Sequence, residues 1–247
     1  MTSRISVSWT RLAAESVAIV ASILLAFTID AWWANRADRI EEAEMLRSLQ
    51  REFEQNLVAL DEQLAYRNAV RVSTNQILEA AAGQIELEPA EFDRLLGDIL
   101  WSGWVDLSTG ALQSLLQSGK LSLIENRELR EHLAALPHWT DNTAKLEDFE
   151  LLRFDADINP YLSEHANLPQ IYNTHGGQPG VGANPNPSIQ PTGEKQDHTY
   201  LLQDPKFVGM IATEHVDHND ATYGYEVLKE KIETAIRIIE SELATRE

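Results

Sequence analysis

Between Ser16 and Ile29 the chain carries no charged residue, and Glu15 and Asp30 stand at the two edges of that stretch. Counted from Leu12 to Trp33, the apolar run makes a helix roughly 33 Å long, enough to cross a hydrocarbon core of about 30 Å. The edge acids then fall near the interfaces, where a carboxylate costs far less than at the bilayer midplane. Trp9 on one flank and Trp32 and Trp33 on the other occupy the aromatic-belt positions. A cleaved signal fits less well, because Ala26-Phe27-Thr28 and Ala31-Trp32-Trp33 are poor small-x-small sites. The expectation is a short tail (1–11), a transmembrane helix (12–34) and a body (35–247).

Charge separates these parts. The formal net charge is -19. Arg4 and Arg11 cancel Glu15 and Asp30, so the whole excess lies beyond residue 34. An acidic body of this kind does not bind nucleic acid or anionic lipid through electrostatics, since both need clustered Lys and Arg. With no cysteine, neither disulfides nor thiolate metal sites contribute. Arg4 and Arg11 before the span are matched by Arg36, Arg39, Arg47 and Arg51 after it, so the positive-inside rule leaves orientation open. The short tail and acidic body favour an inner tail and an outer body.

The body reads as helix almost throughout. From residue 34 to about 82 there is no Pro or Gly, and Leu46, Leu49, Phe53, Leu57, Leu60 and Leu64 form a stripe at steps of three and four. Gly83 and Pro89 end this helix, and further helices are expected at 89–101 and 111–118. Asn126 is the expected N-cap of a long helix carrying Leu129, Leu133, Leu136 and, past a kink at Pro137, Leu146, Phe149 and Leu152 inward. A last helix at 205–244 aligns Leu228, Ile232, Ala235, Ile239 and Leu243. The fold class is therefore all-α: a transmembrane helix continuing into a long helix of a soluble helical bundle. Residues 159–204, rich in Pro and Gly, break the periodicity and read as one long irregular loop. Its GGQPGVG run lacks the GK[ST] of a phosphate loop.

Two segments resemble a bacterial family of membrane proteins of unknown function. ESVAIVASILLAFTIDAWWANR with LRSLQREFEQNLVAL is similar to the family's opening: a Glu, an apolar run closed by Asn or Asp with Trp, then a long charged helix. GALQSLLQSGKLSLIENRELREHLAAL is similar to its central segment, two helices around a Ser-Gly-Lys turn and a short apolar stretch. Asp30 stands where the family usually has Asn, and the family's basic tail is reduced here to Arg4 and Arg11. The resemblance implies an inner-membrane protein of unknown function and carries no catalytic residue across; the periplasmic placement of the body rests on the short tail and the acidic body.

Within the span, Ala18, Ser22 and Ala26 recur every four residues, the spacing at which small side chains let two helices approach closely. Such a face would serve a homo-oligomer. Chance is the alternative, because alanine is common in spans.

The one cluster with metal-ligand chemistry is EHVDHND, where Glu214, His215 and His218 fall on neighbouring helical positions. Such a set can hold Zn or Fe, with Asp217 or Asp220 adding a ligand and His165, His175 or His198 reaching in from the loop. There is no HExxH, and a solvated helix start explains the same residues. No serine lies in a GxSxG turn. In Ser118-Gly119-Lys120, Gly119 is expected to supply the left-handed residue that ends a helix, with Lys120 near its C-terminal dipole. Trp101, Trp104, Trp139, Tyr223 and Tyr225 read as packing residues. Two functions follow: a membrane-anchored interaction or scaffold module that senses a ligand or binds a protein partner, or a membrane-bound metalloprotein or hydrolase using residues 214–220.

Overall fold

The computed structural model describes residues 9–100, 104–174 and 194–245. One helix, α1 (Trp9–Ala81), runs 73 residues without a break. It is long and apolar enough near the N-terminus to cross a membrane, and none of that apolar window is buried in the protein. A core helix of a soluble domain would bury it. Val17, Ile19, Leu24, Phe27 and Trp32 are all exposed, and the Arg36 guanidinium lies 5.9 Å from the Trp32 ring centre. From Glu42 onward the same helix turns one face inward. Leu46, Leu49, Phe53 and Leu60 are buried, with Leu57 and Leu64 packed at the edge. At its end Gly83 takes φ 70°, a left-handed conformation that costs glycine little.

The body is all-helical among the described residues. After α1 come α2 (Pro89–Ile99), α3 (Gly110–Gln117), α4 (Arg127–Arg153), α5 (Asn159–His165), α6 (Leu168–Tyr172) and α7 (Pro205–Ala244). A 3-10 turn precedes α4, a π-helical turn (Phe154–Ile158) joins α4 to α5, and a second 3-10 turn precedes α7. The long helices α1, α4 and α7 make the bundle. The first half of α4 and the second half of α7 pack on residues 46–60 of α1. The start of α7 packs on residues 66–77. So α4 runs parallel to α1, and α7 runs back toward the apolar end.

The SGKLSLIEN turn sits against α1 at the end of the body nearest the apolar segment. Gly119 has φ 72°, as the sequence requires of a helix-ending residue. Lys120 pairs with Glu41 at 2.5 Å, and the Glu125 amide donates to Glu42 at 2.8 Å. Asn126 caps α4 by accepting from the Leu129 amide at 3.0 Å. Deeper in, Glu52 accepts from the amides of Ala111 and Leu112 at 2.6 and 3.0 Å, so a side chain of α1 caps α3. Asn56 and the backbone of Ser108 exchange two bonds of 2.8 Å.

Several expectations change. The segment 159–204 is not one loop. Pro160 and Pro169 lie in the first turns of α5 and α6, where a missing N–H loses no helical bond. Residues 175–193 lie outside the described residues. Phe149 and Leu152 are 50% and 67% exposed, because at that level the inward face of α4 is held by Glu147 and Glu150 instead. Trp139 packs at the edge of the core, and Tyr225 is fully buried, but Trp104 and Tyr223 are exposed at 64% and 69%. Trp101 lies outside the described residues.

Candidate functional site: a buried ionic layer

Two apolar clusters fill the body, and charged side chains lie at the level between them. The proximal cluster ends at Leu60 on α1 and begins at Tyr225 on α7; the distal one begins at Tyr66 and ends at Ile211. Arg67, Glu150, Glu214 and His218 occupy the gap, all buried.

Arg67 on α1 donates from both terminal nitrogens to the two oxygens of Glu150 on α4, each at 2.8 Å. The pair is bidentate, the geometry in which Arg and carboxylate interact most strongly. The Arg67 guanidinium also lies 4.6 Å from the ring centre of Tyr225 on α7, so one cation bridges all three long helices. The Tyr225 hydroxyl donates to Glu147, which also accepts from the Val105 amide at 3.0 Å. Burial pushes the Glu147 carboxyl up to about 7.

His218 faces two carboxylates. Its Nδ1 lies 3.2 Å from Glu150 and 3.5 Å from Glu214. Neither approach has the alignment of a hydrogen bond, and neither ring nitrogen of this buried side chain has a hydrogen-bond partner. Burial opposes ionisation of Glu150, but His218 and the Arg67 guanidinium outweigh it and hold the carboxyl below its ordinary value. For Glu214 burial prevails, because the attraction of His218 and, more weakly, of Arg153 is countered by the neighbouring Glu150 and Asp217 charges, and its carboxyl is pushed up to about 7. At the rim Arg153 pairs with Asp217 at 2.7 Å.

The expected trio therefore divides. Glu214 and His218 point into the layer, but His215 lies on the other side of α7, with Nδ1 2.8 Å from Thr74 Oγ1. Helical positions 214 and 218 share a face; position 215 is rotated by about 100° from 214. Among the described residues no group of three His, Cys, Asp or Glu side chains is placed to hold a metal ion. Glu150, the carboxylate nearest His218, spends both oxygens on Arg67.

His165 and His198 do not reach this layer. His165 stacks on Tyr161 at 4.2 Å between ring centres. His198 is buried beside Asp93 of α2, with Nδ1 2.6 Å from the carboxylate. The Asn167 amide donates to its Nε2 at 3.0 Å, so Nε2 carries no proton and Nδ1–H donates to Asp93. Such a pair resembles the base and orienting acid of a hydrolase, but here the outer nitrogen is occupied by backbone. It fastens the distal cap: Gln170 of α6 donates to the same Asp93 at 2.6 Å. His175 lies outside the described residues. No local pattern announces this pair, since Asp93 and His198 are far apart along the chain.

Ala18, Ser22 and Ala26 are all exposed on the unpartnered part of α1, and Ser22 Oγ donates to the Ala18 carbonyl at 2.8 Å. That bond satisfies the hydroxyl within the helix.

No protein-family model matches the chain, and searches of the curated proteins and of the solved structures return no match.

Proposed function

We propose that the chain is a single-pass membrane protein whose body serves as an interaction or scaffold module, held in the bacterial inner membrane with the body on the periplasmic side. The observation that carries this reading is the continuity of α1. One unbroken helix has an entirely exposed apolar segment at its start and a buried face, including Arg67, further on. A helix that enters the body as its central element cannot turn freely relative to it. A shift or rotation at the ionic layer is then conveyed to the span, and the reverse.

Two further features support it. The two family-like segments pack on one another through Glu41, Glu42, Glu52 and Asn56, so the helix leaving the span and the central turn form one structural unit. The polar groups of the body are largely spent on each other: Arg67 on Glu150, His198 on Asp93 and Glu52 on the start of α3. The partners proposed are the lipid bilayer and a protein, which includes a second copy of the chain through the Ala18, Ser22 and Ala26 face.

Alkaline carbonate extraction of membranes tests the anchor: the full-length chain stays with the bilayer, and its release would refute the reading. Protease added to spheroplasts digests the body, whereas full protection would reverse the orientation. In-cell crosslinking followed by purification tests the module role, with a stoichiometric crosslinked species expected. A chain that is monomeric and free of partners under those conditions would count against it.

A further inference from the structure

A cavity of about 450 Å³ opens beside the ionic layer, between the π-helical turn, α5 and the first three turns of α7. Its volume lies within the range that holds small ligands. Glu214 forms part of its wall, together with Tyr161, Arg153, Lys206, Asp157 and Glu164. Glu214 and Tyr161 are both more than nine-tenths buried.

Of the two cations on this wall, Arg153 pairs with Asp217 at 2.7 Å, and Lys206 lies 5.2 Å from the ring centre of Tyr161, a contact that leaves its charge unneutralised. The three acids outnumber it. Glu214 has only His218, at 3.5 Å, and Asp157 and Glu164 have no ion-pair partner among the described residues. A buried carboxylate without a hydrogen-bond donor is costly, and one that borders a cavity can recover that cost from a donor in the cavity. With Asp157, Glu164 and Glu214 set against Lys206 alone, the unpaired charge around the space is net negative.

We infer that this cavity binds a small organic dication, a diamine with one ammonium group seated on the Glu214 carboxylate and the other directed to Asp157 and Glu164. An ammonium brings three donors and a full positive charge to the carboxylate, and its short alkyl stem fits a partly apolar wall. Binding there is also heard by α1, because Glu214 faces His218, His218 faces Glu150, and Glu150 holds Arg67. The inference stands apart from the membrane reading: amine binding does not depend on where the span lies.

Calorimetry on the full-length chain in detergent micelles tests it, with 1,4-diaminobutane as probe and 1,4-butanediol and succinate as neutral and anionic controls of equal length. Saturable binding of the diamine alone is expected, weakened at least tenfold by Glu214→Gln. Affinity should rise about tenfold between pH 6 and pH 8 as Glu214 ionises while the amine stays charged. The double rim variant Asp157→Asn/Glu164→Gln changes only exposed side chains and should weaken binding several-fold at unchanged melting temperature. That variant carries the test if Glu214→Gln fails to fold. Absence of saturable binding, equal affinity in these variants, or preference for succinate would overturn the assignment. Calcium bound in place of the diamine, and lost with Glu214→Gln, would overturn it too.

Discussion

Arg67 and Glu150 meet through two parallel 2.8 Å hydrogen bonds in the interior of the body, with side chains 1% and 5% exposed. Removing one partner strands the other charge away from water, at a cost of about 3–5 kcal/mol. Arg67→Ala and Glu150→Ala should each destabilise the chain by that amount in chemical denaturation. Arg67→Met/Glu150→Met should recover most of the loss, since apolar side chains of similar length often replace a buried pair without penalty. A double variant as unstable as the singles would show that the pair contributes more than mutual neutralisation.

Glu214 makes stability depend on pH. Burial raises its carboxyl from 4.5 to about 7, so the folded chain holds this proton more tightly than the unfolded chain. Its contribution is full below pH 4.5 and is lost as pH rises through about 7. Glu214→Gln, which stays neutral, should exceed the parent stability by on the order of 2–3 kcal/mol at pH 8. The gap should close toward pH 5. Parallel stability curves for the two proteins across that range would contradict the assignment.

Glu52 stabilises α3 from outside that helix, accepting from the Ala111 and Leu112 amides. Glu52→Ala leaves both donors without the carboxylate and should cost about 1–3 kcal/mol. Hydrogen exchange at Ala111 and Leu112 should quicken locally, while amides in the distal half of α7 keep their protection. Asn126→Ala removes one cap bond from α4, at about 1 kcal/mol.

The apolar stripes of α1 and α7 were legible because burial there follows helical period alone: Leu46, Leu49, Phe53 and Leu60 face Leu228, Ile232 and Ile239. The Asn126 cap and the left-handed Gly119 were legible for a similar reason, since each depends on a few neighbouring residues. The ionic layer was not. Arg67, Glu147 and Glu150 read as solvated positions in any one helix, and only their meeting across α1, α4 and α7 makes burial tolerable. That is also why Phe149 and Leu152, which helical period alone turns inward, lie outward in the fold. In the 214–218 cluster the sequence groups Glu214, His215 and His218 as metal ligands or a solvated helix start, whereas the fold buries Glu214 and His218 in the layer. Their neighbour His215 turns to Thr74.

The continuity of α1 from its apolar segment into the ionic layer is open to one direct measurement. The chain has no cysteine, so Ala26→Cys/Glu62→Cys introduces two spin labels and no others. The positions are 36 residues apart, ten helical turns, and both are exposed on the same side of α1. In lipid nanodiscs, pulsed electron-spin resonance should give one narrow distance near about 54 Å. A broad distribution centred well below that value would mean that the helix breaks between bilayer and body, and that the two do not move as one unit.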